Sequence, residues 1–226
     1  KIVLGAEFHG LSNYSGWLKR HLRPSEKRKS VFSGRDVFVA GYARYLDLPK
    51  DRTALEDEAV AVATLAKQDK DVEKISLENA HEYIGKFAYF SLDFHDGTNT
   101  NVNDCFAYAG SSNVLECYPC VQIKDSAYNF WPRSSEHIFG CGVLFDSQFC
   151  IHCYQSVKLS RCFEVDSSRD CADCYYSHNI ENCQSCMFCF NVKNLRYAIG
   201  NVEVGKEKFA QAKEALLKQV GSELSA

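Results

Sequence analysis

Cys150-Ile151-His152-Cys153-Tyr154-Gln155-Ser156-Val157-Lys158-Leu159-Ser160-Arg161 runs straight into Cys162, where a second twelve-residue unit begins. Units starting at Cys174 and Cys186 follow without a gap. Every third residue of the four units reads Cys150, Cys153, Ser156, Leu159; Cys162, Val165, Ser168, Cys171; Cys174, Ser177, Ile180, Cys183; Cys186, Cys189, Val192, Leu195. No charge stands at those places, and the residues between them hold the charges, the amides and most aromatics. A helix repeats every 3.6 residues and a flat strand every 2. A period of three fits neither.

The same frame extends outward. All 12 cysteines are in phase: Cys105, Cys117, Cys120 and Cys141 precede the four units, and every gap is a multiple of three. Leaving aside gaps of three, chance gives this agreement about once in 700, so it marks a structural repeat. The pattern predicts a thin parallel β-solenoid that bends every few residues and aims each third side chain at its axis. Eight coils stacked at about 4.8 Å make a rod of about 38 Å. So narrow an interior suits Cys, Ser and Val, because buried cysteine behaves as a small hydrophobe. The inward set therefore includes Cys141, Cys150, Cys153, Cys162, Cys171, Cys174, Cys183, Cys186 and Cys189. Position 9 of the units (Lys158, Asp170, Asn182, Asn194) suits a tight turn. Position 8 (Val157, Arg169, Glu181, Lys193) stacks opposite charges on neighbouring coils. Between Cys120 and Cys141 the frame meets Asn129 and Pro132, so a distorted coil or bulging loop is expected there. The coil resembles that of the small disulfide-rich antifreeze β-helices. Their flat threonine array has no counterpart, since no threonine occurs from 102 to 204, so the resemblance implies geometry without ice binding.

The 226 residues carry a net charge of -3 with 24% charged residues, and nothing global points to nucleic acid or membrane. No apolar run approaches the roughly 20 residues of a membrane span. The start at Lys1 without methionine suggests a processed terminus. Stacked cysteines are close enough for disulfides, whose Cα atoms lie about 4.4–6.8 Å apart. Free buried thiols are the favoured reading.

Residues 1–101 contain no cysteine and read as a mixed α/β segment. Ile2-Val3-Leu4 and Val37–Ala40 are expected as strands, with helices at Trp17–Leu22, Thr53–Lys70 and Ser76–Tyr89. Thr53 is the expected cap of the second helix, with Glu56, Asp57 and Glu58 at its positive end. Lys19, Arg20, Arg23, Lys27, Arg28, Lys29 and Arg35 form a basic strip. It is either a docking surface for phosphate or an acidic partner, or a solvated face. Lys206–Val220 is an amphipathic helix, expected to cap the solenoid, since an open terminal coil exposes core and strand edge.

The pairs Cys150/Cys153 and Cys171/Cys174 have the spacing of a four-cysteine zinc site. A solenoid would place them on different coils, and no metal or cofactor is expected. His137, His152 and His178 are the candidates for Cys–His chemistry. His152 and His178 fall at outward places while the cysteines point inward, so both are expected at the surface. Position 2 of the repeat (Phe139, Ile151, Phe163, Tyr175, Met187) makes an apolar stripe outside the rod. It needs a cover, from the N-terminal helices or another subunit.

Cys153-Tyr154-Gln155-Ser156, Asp173-Cys174-Tyr175-Tyr176-Ser177, Asn182-Cys183, and Cys189-Phe190-Asn191 with Leu195-Arg196-Tyr197-Ala198-Ile199-Gly200-Asn201 resemble a family of cysteine-rich repeat proteins of metagenomic bacterial and viral genomes. The resemblance covers Asn103 to Phe209 and implies a stacked-repeat fold without an assigned activity. The expected architecture is α+β: a mixed α/β unit (1–101), a cysteine-rich solenoid (102–204) and a C-terminal capping helix and tail (205–226). The expected role is non-enzymatic and structural, in an assembly with other protein subunits and, most sharply, in a virion; a cytoplasmic location is the other. A zinc-binding or redox-responsive thiol protein and a nucleic-acid-binding accessory protein are the alternatives.

Overall fold

A computed structural model describes residues 1–66 and 73–225 of the chain. From His95 onward the chain winds into a parallel β-solenoid of about nine coils, one more than the spacing suggests. Strand partners lie twelve residues apart along the rod: Val102 faces Val114, Leu115 faces Ala127, Cys150 faces Cys162 and Cys174 faces Cys186. The first pairing alone carries an extra residue, His95 opposite Tyr108.

The bend that closes each coil is visible in the backbone. Every third residue from Asn101 to Tyr197 has a positive φ, with Gly110 and Gly140 in the series and Pro119 outside it. Each such residue immediately precedes an inward one: Asp104 before Cys105, Phe149 before Cys150, Asp170 before Cys171. Four corners make one coil. A left-handed conformation costs an L-residue about 1–2 kcal/mol, least for Asn and Asp. Asn and Asp hold many corners, but Val143, Phe149 and Trp131 hold others, so the stack outweighs local preference.

The interior shows what repays that strain. At many corners the inward N–H finds its partner in a serine, cysteine or asparagine side chain one coil below. Ser126 Oγ accepts from Ile138 N (3.1 Å), Ser168 Oγ from Ile180 N (3.1 Å), and Ser177 Oγ from Cys189 N (3.1 Å). Cys105 Sγ and Cys141 Sγ accept from Cys117 N and Cys153 N, both at 3.4 Å. The same serines donate back along their own coil, as Ser168 Oγ does to Asp166 O (2.7 Å). Cys and Ser share small volume and an acceptor one bond beyond Cβ. The twelve thiols are free and buried.

The expected distortion near Pro132 does not occur. Tyr118, Phe130 and Gly142 stay paired in register, as do Val121, Arg133 and Phe145. Asn129 replaces a cysteine as a rung: its Oδ1 accepts from Cys141 N (2.9 Å) and its Nδ2 donates to Ile138 O (3.0 Å). Pro132 sits buried at an inward place, where its ring fills space. On the outside, Glu181 pairs with both Arg169 and Lys193, the charge stacking expected at position 8.

The last coil is sealed rather than left as a free edge. Val202–Glu203 folds back antiparallel on Arg196–Ile199. Asn201 then treats Phe190 as a backbone partner would, accepting from its N–H (2.8 Å) and donating to its carbonyl (2.9 Å). The helix Lys206–Ser225 lies beside the final coils, with Phe209 and Val220 packed against Phe163, Tyr175 and Met187.

Residues 1–94 differ from the sequence reading in detail. Glu26–Lys29 and Asp36–Val39 form a hairpin, in agreement with the strand expected at Val37. Ile2–Leu4 is a turn, tied by Gly5 N to Lys1 O (2.8 Å). The helical turn around Trp17 spans Ser15–Leu18. A short helix at Ala43–Leu46 follows, and the helix expected from Thr53 spans Glu56–Ala66; residues 67–70 of its expected span lie outside the described residues. Thr53 does not cap it. Thr53 is a buried strand residue opposite Phe90, and Asp93 Oδ1 accepts from Glu56 N (2.7 Å) instead. The helix expected from Ser76 is only Ala80–Ile84, with Leu77 fully exposed. Among the described residues, Val37, Val39 and Leu92 share one cluster with Phe106 and Tyr118 of the first coils.

The rung bonds make a prediction. Ser168→Ala should cost about 1–3 kcal/mol, because Ile180 N–H loses a buried acceptor. Ser168→Cys should cost clearly less, since sulfur at the same place accepts the same N–H. Urea midpoints of the two variants check this; equal losses would mean that side-chain volume alone decides.

Candidate functional site

One corner column organises the surface. Asp104, Glu116, Tyr128, Gly140, His152, Glu164, Tyr176 and Phe188 occur twelve residues apart, on successive coils. The N-terminal segment is docked along it. Lys27 reaches Asp104 (2.7 Å), Lys19 reaches Glu116 (3.1 Å) and lies over the Tyr128 ring, Trp17 packs tilted against His152 (ring centroids 4.4 Å apart), and Arg20 pairs with Glu164. The basic strip therefore meets an acidic surface within its own chain. Its other cations are also engaged: Arg28 with Glu26 and two carbonyls, Lys29 with Asp36, Arg35 with Asp57 and Glu58. Among the described residues Arg23 alone of the seven has no ionic partner. Exposed pairs of this kind contribute about 0–1 kcal/mol each. Their value here is placement.

Gly140 marks the closest approach. It is a corner residue with φ of +66°, and a Cβ there would stand 2.4 Å from Leu18 O and 2.7 Å from the His152 ring. Glycine at this corner lets the segment settle onto the rod.

Beside the column runs the apolar stripe, now seen to start at Leu115. Leu18, Trp17 and Leu22 cover Leu115, Phe139 and Ile151. Val3, Leu4 and the C-terminal helix cover Phe163, Tyr175 and Met187, which are at most 1% exposed. Lys213 pairs with Asp173 and lies over the Tyr175 ring, fixing the helix. Both ends of the chain thus share the cover: Phe163, Tyr175 and Met187 are core, while Phe139 and Ile151 stay half-buried beside the N-terminal segment.

The expectation that His152 lies at the surface is overturned. It points away from the solenoid axis, as its place in the repeat requires, yet it is 0% exposed because Trp17 lies on it. Its Nδ1 lies 2.9 Å from Glu164 Oε1. Its Nε2 has no hydrogen-bond partner among the described residues. His21 Nε2 stands 3.6 Å from Glu164 Oε1 and accepts from Arg20 Nε (2.9 Å). Burial pushes the Glu164 carboxyl up, but the hydrogen bonds and charges of His152 and Arg20 outweigh it and hold the pKa below the ordinary value. The signal for this group was present as spacing: Gly140, His152 and Glu164 are twelve apart, with acids on the same column at 104 and 116. His178 is half-exposed and bonded to Asp166 (2.9 Å), and His137 stacks on Phe149 (4.8 Å).

The cysteines do not converge on an ion. Cys150 and Cys174 lie on one inner column two coils apart, about 10 Å at parallel-strand spacing, so Cys150, Cys153, Cys171 and Cys174 cannot share a tetrahedral centre. Burial raises the thiol pKa of Cys117, Cys153 and Cys162. At Cys150 burial is outweighed by hydrogen bonds from neighbouring cysteines, and at Cys171 a hydrogen bond from Cys174 prevails over burial, so both lie below the ordinary value. What keeps the four from a shared ion is the spacing of the coils. A cleft of about 360 Å³ opens between the docked segment and the rod. Tyr118, Tyr128, Phe130 and Tyr154 line it, with Lys19 and Arg23 also in its wall. Its volume lies in the range of small-molecule sites. No helix is long and apolar enough to cross a membrane among the described residues.

Compared with known proteins, the chain matches no family model and no curated protein sequence. The class of protein that fold and site define is a cysteine-cored β-solenoid with both chain ends clamped along one flank.

Two measurements probe the clamp. Gly140→Ala should undock the segment: left-handed strain alone costs about 1–2 kcal/mol, and the clash with Leu18 O adds to it. Trp17 emission should shift to the red while far-UV circular dichroism keeps its strand signal. Acid should loosen the same contact. The lowered pKa of Glu164, faced by His152, Arg20, His21 and Tyr176, means that its contribution is complete above the ordinary carboxyl value of about 4.3 and is lost as pH falls through the depressed one. The stability gap between wild type and Glu164→Gln should therefore close as pH drops from 7 to 3, read from denaturant midpoints. A gap independent of pH would contradict this assignment.

Proposed function

We propose that the protein is a non-enzymatic structural component, a stiff rod that serves as scaffold and contact surface in a larger assembly. A capsid-associated place is the sharpest form of this reading. The resemblance of Asn103–Phe209 to cysteine-rich repeat proteins of bacterial and viral genomes supports it. So does the build of the molecule: the twelve thiols are closed inside, and both ends of the chain are spent on bracing the rod.

The observation that carries the reading lies at the sealed end. The corner column continues past its cover to Tyr176 and Phe188, whose rings stack at 5.7 Å. Phe188 is 45% exposed, Phe190 52% and Val202 62%. The backbone edge of this coil is closed by Asn201 and Glu203, each accepting a main-chain N–H, so strand addition is blocked there. Uncovered aromatics on a sealed end are suited to side-chain contact with a neighbouring subunit.

Light scattering on the purified chain over a range of concentrations tests this. A second copy is the simplest partner, and a mass above that of the monomer is expected at tens of micromolar. Phe188→Ser combined with Phe190→Ser should weaken association at least tenfold without changing circular dichroism. A wild-type chain that stays monomeric throughout would remove the self-assembling form of the proposal.

A further inference from the structure

We propose that His21, His152 and Glu164 form a binding site for one divalent transition-metal ion, zinc or cobalt in chemistry, and that Arg20 is its built-in competitor. The ligand atoms of the three side chains lie within 4.8 Å of one another. Two imidazoles and one carboxylate are a donor set suited to zinc, which leaves a fourth position for water or another ligand. The separations, 2.9 Å from His152 Nδ1 to Glu164 Oε1 and 3.6 Å from His21 Nε2 to the same oxygen, bracket the spacing of about 3.3 Å that ligands at 2.0–2.1 Å adopt around a tetrahedral ion.

The cation now in contact with these atoms is a guanidinium. Arg20 Nε donates to His21 Nε2, the nitrogen that would ligate, and its Nη2 pairs with Glu164. The arginine side chain is 41% exposed, so it can leave toward solvent when an ion takes over the carboxylate. Charge then changes hands without burying an extra cation beside the first.

The second observation is the unpaired nitrogen. A hydrogen bond from Nδ1 to Glu164 leaves His152 Nε2 as a buried acceptor with nothing to accept, a costly arrangement. A metal on Nδ1 reverses it. The ring stays neutral, its proton moves from Nδ1 to Nε2, and Nε2 becomes a donor. A ligating histidine commonly donates its second nitrogen to a carbonyl. Leu18 O crowds the same side of Gly140 as His152 Nε2, but no hydrogen bond joins them, so this donor is paired only if the segment shifts toward the ring. An ion here would join residue 21 of the docked segment to coils at residues 152 and 164, and so lock the clamp.

The test titrates Co(II) into the full chain under reducing conditions and follows its visible absorption. One ion per chain should bind, without the intense thiolate-to-cobalt charge-transfer band that cysteine ligation gives. The exposed His21→Ala should reduce affinity at least tenfold, and so should Glu164→Gln. Arg20→Gln should raise it several-fold, the opposite of what a residue with a merely structural role would do. Thermal midpoints should rise with added metal in the wild type and not in His21→Ala, which stays folded by circular dichroism. Absence of binding, a thiolate band, unchanged affinity in His21→Ala, or weaker binding in Arg20→Gln would each overturn the site.

Discussion

Many main-chain N–H groups at the buried inner corners take their acceptor from a side chain of the coil beneath. Serine and cysteine supply one at a single bond's reach from Cβ, in a volume that four inward side chains per coil can share. The ladder from Ser126 to Ile138, Ser168 to Ile180 and Cys141 to Cys153 is this constraint made visible. It also explains why Asn129 is tolerated, since its amide spans the same gap. Left-handed corners are strained one by one, and the strain persists because each coil repeats its neighbour's strand pairing twelve residues on. Disulfides are unnecessary to such a core, and a thiol serving as a rung acceptor already has its role.

A repeat of twelve turns the outside into columns, and those columns give the chain ends something to bind. One column is apolar from Leu115 to Ile199 and the next carries acids, a glycine and a histidine. The N-terminal segment reads both at once, with Leu18 and Trp17 on the stripe and Lys19, Arg20 and Lys27 on the acids. Burial of His152 follows from this docking. So does its partnership with Glu164, because a ring shut away from water needs a charged or polar neighbour. The site belongs to neither part alone. It exists where the N-terminal segment is laid across the columns of the rod.

Much of the rod was legible in the residues. The period of three, the uncharged inward frame, the turn formers at position 9 and the Arg169–Glu181–Lys193 charge ladder all have their counterparts in space. Pro132 misled because proline is a poor ladder member, yet at an inward place its missing N–H leaves no donor to satisfy. Thr53 misled because a threonine before three acids fits a cap, while the strand opposite Phe90 claimed it and Asp93 took the capping role. The local rule was sound in each case and a partner from elsewhere displaced it.

The order of residues by itself determined which side chains face the axis, since that depends only on position modulo three and on what fits a narrow, dry space. It determined equally that an outer stripe would need a cover. What covers it was decided by tertiary structure alone: the first twenty-odd residues and the last helix are far away in sequence, and nothing in their composition names their target. Whether an outward histidine is wet or buried, and whether seven cations meet solvent or acids, are questions about packing between distant segments. Periodicity describes one element at a time, and contacts between elements arise only once the whole chain is folded.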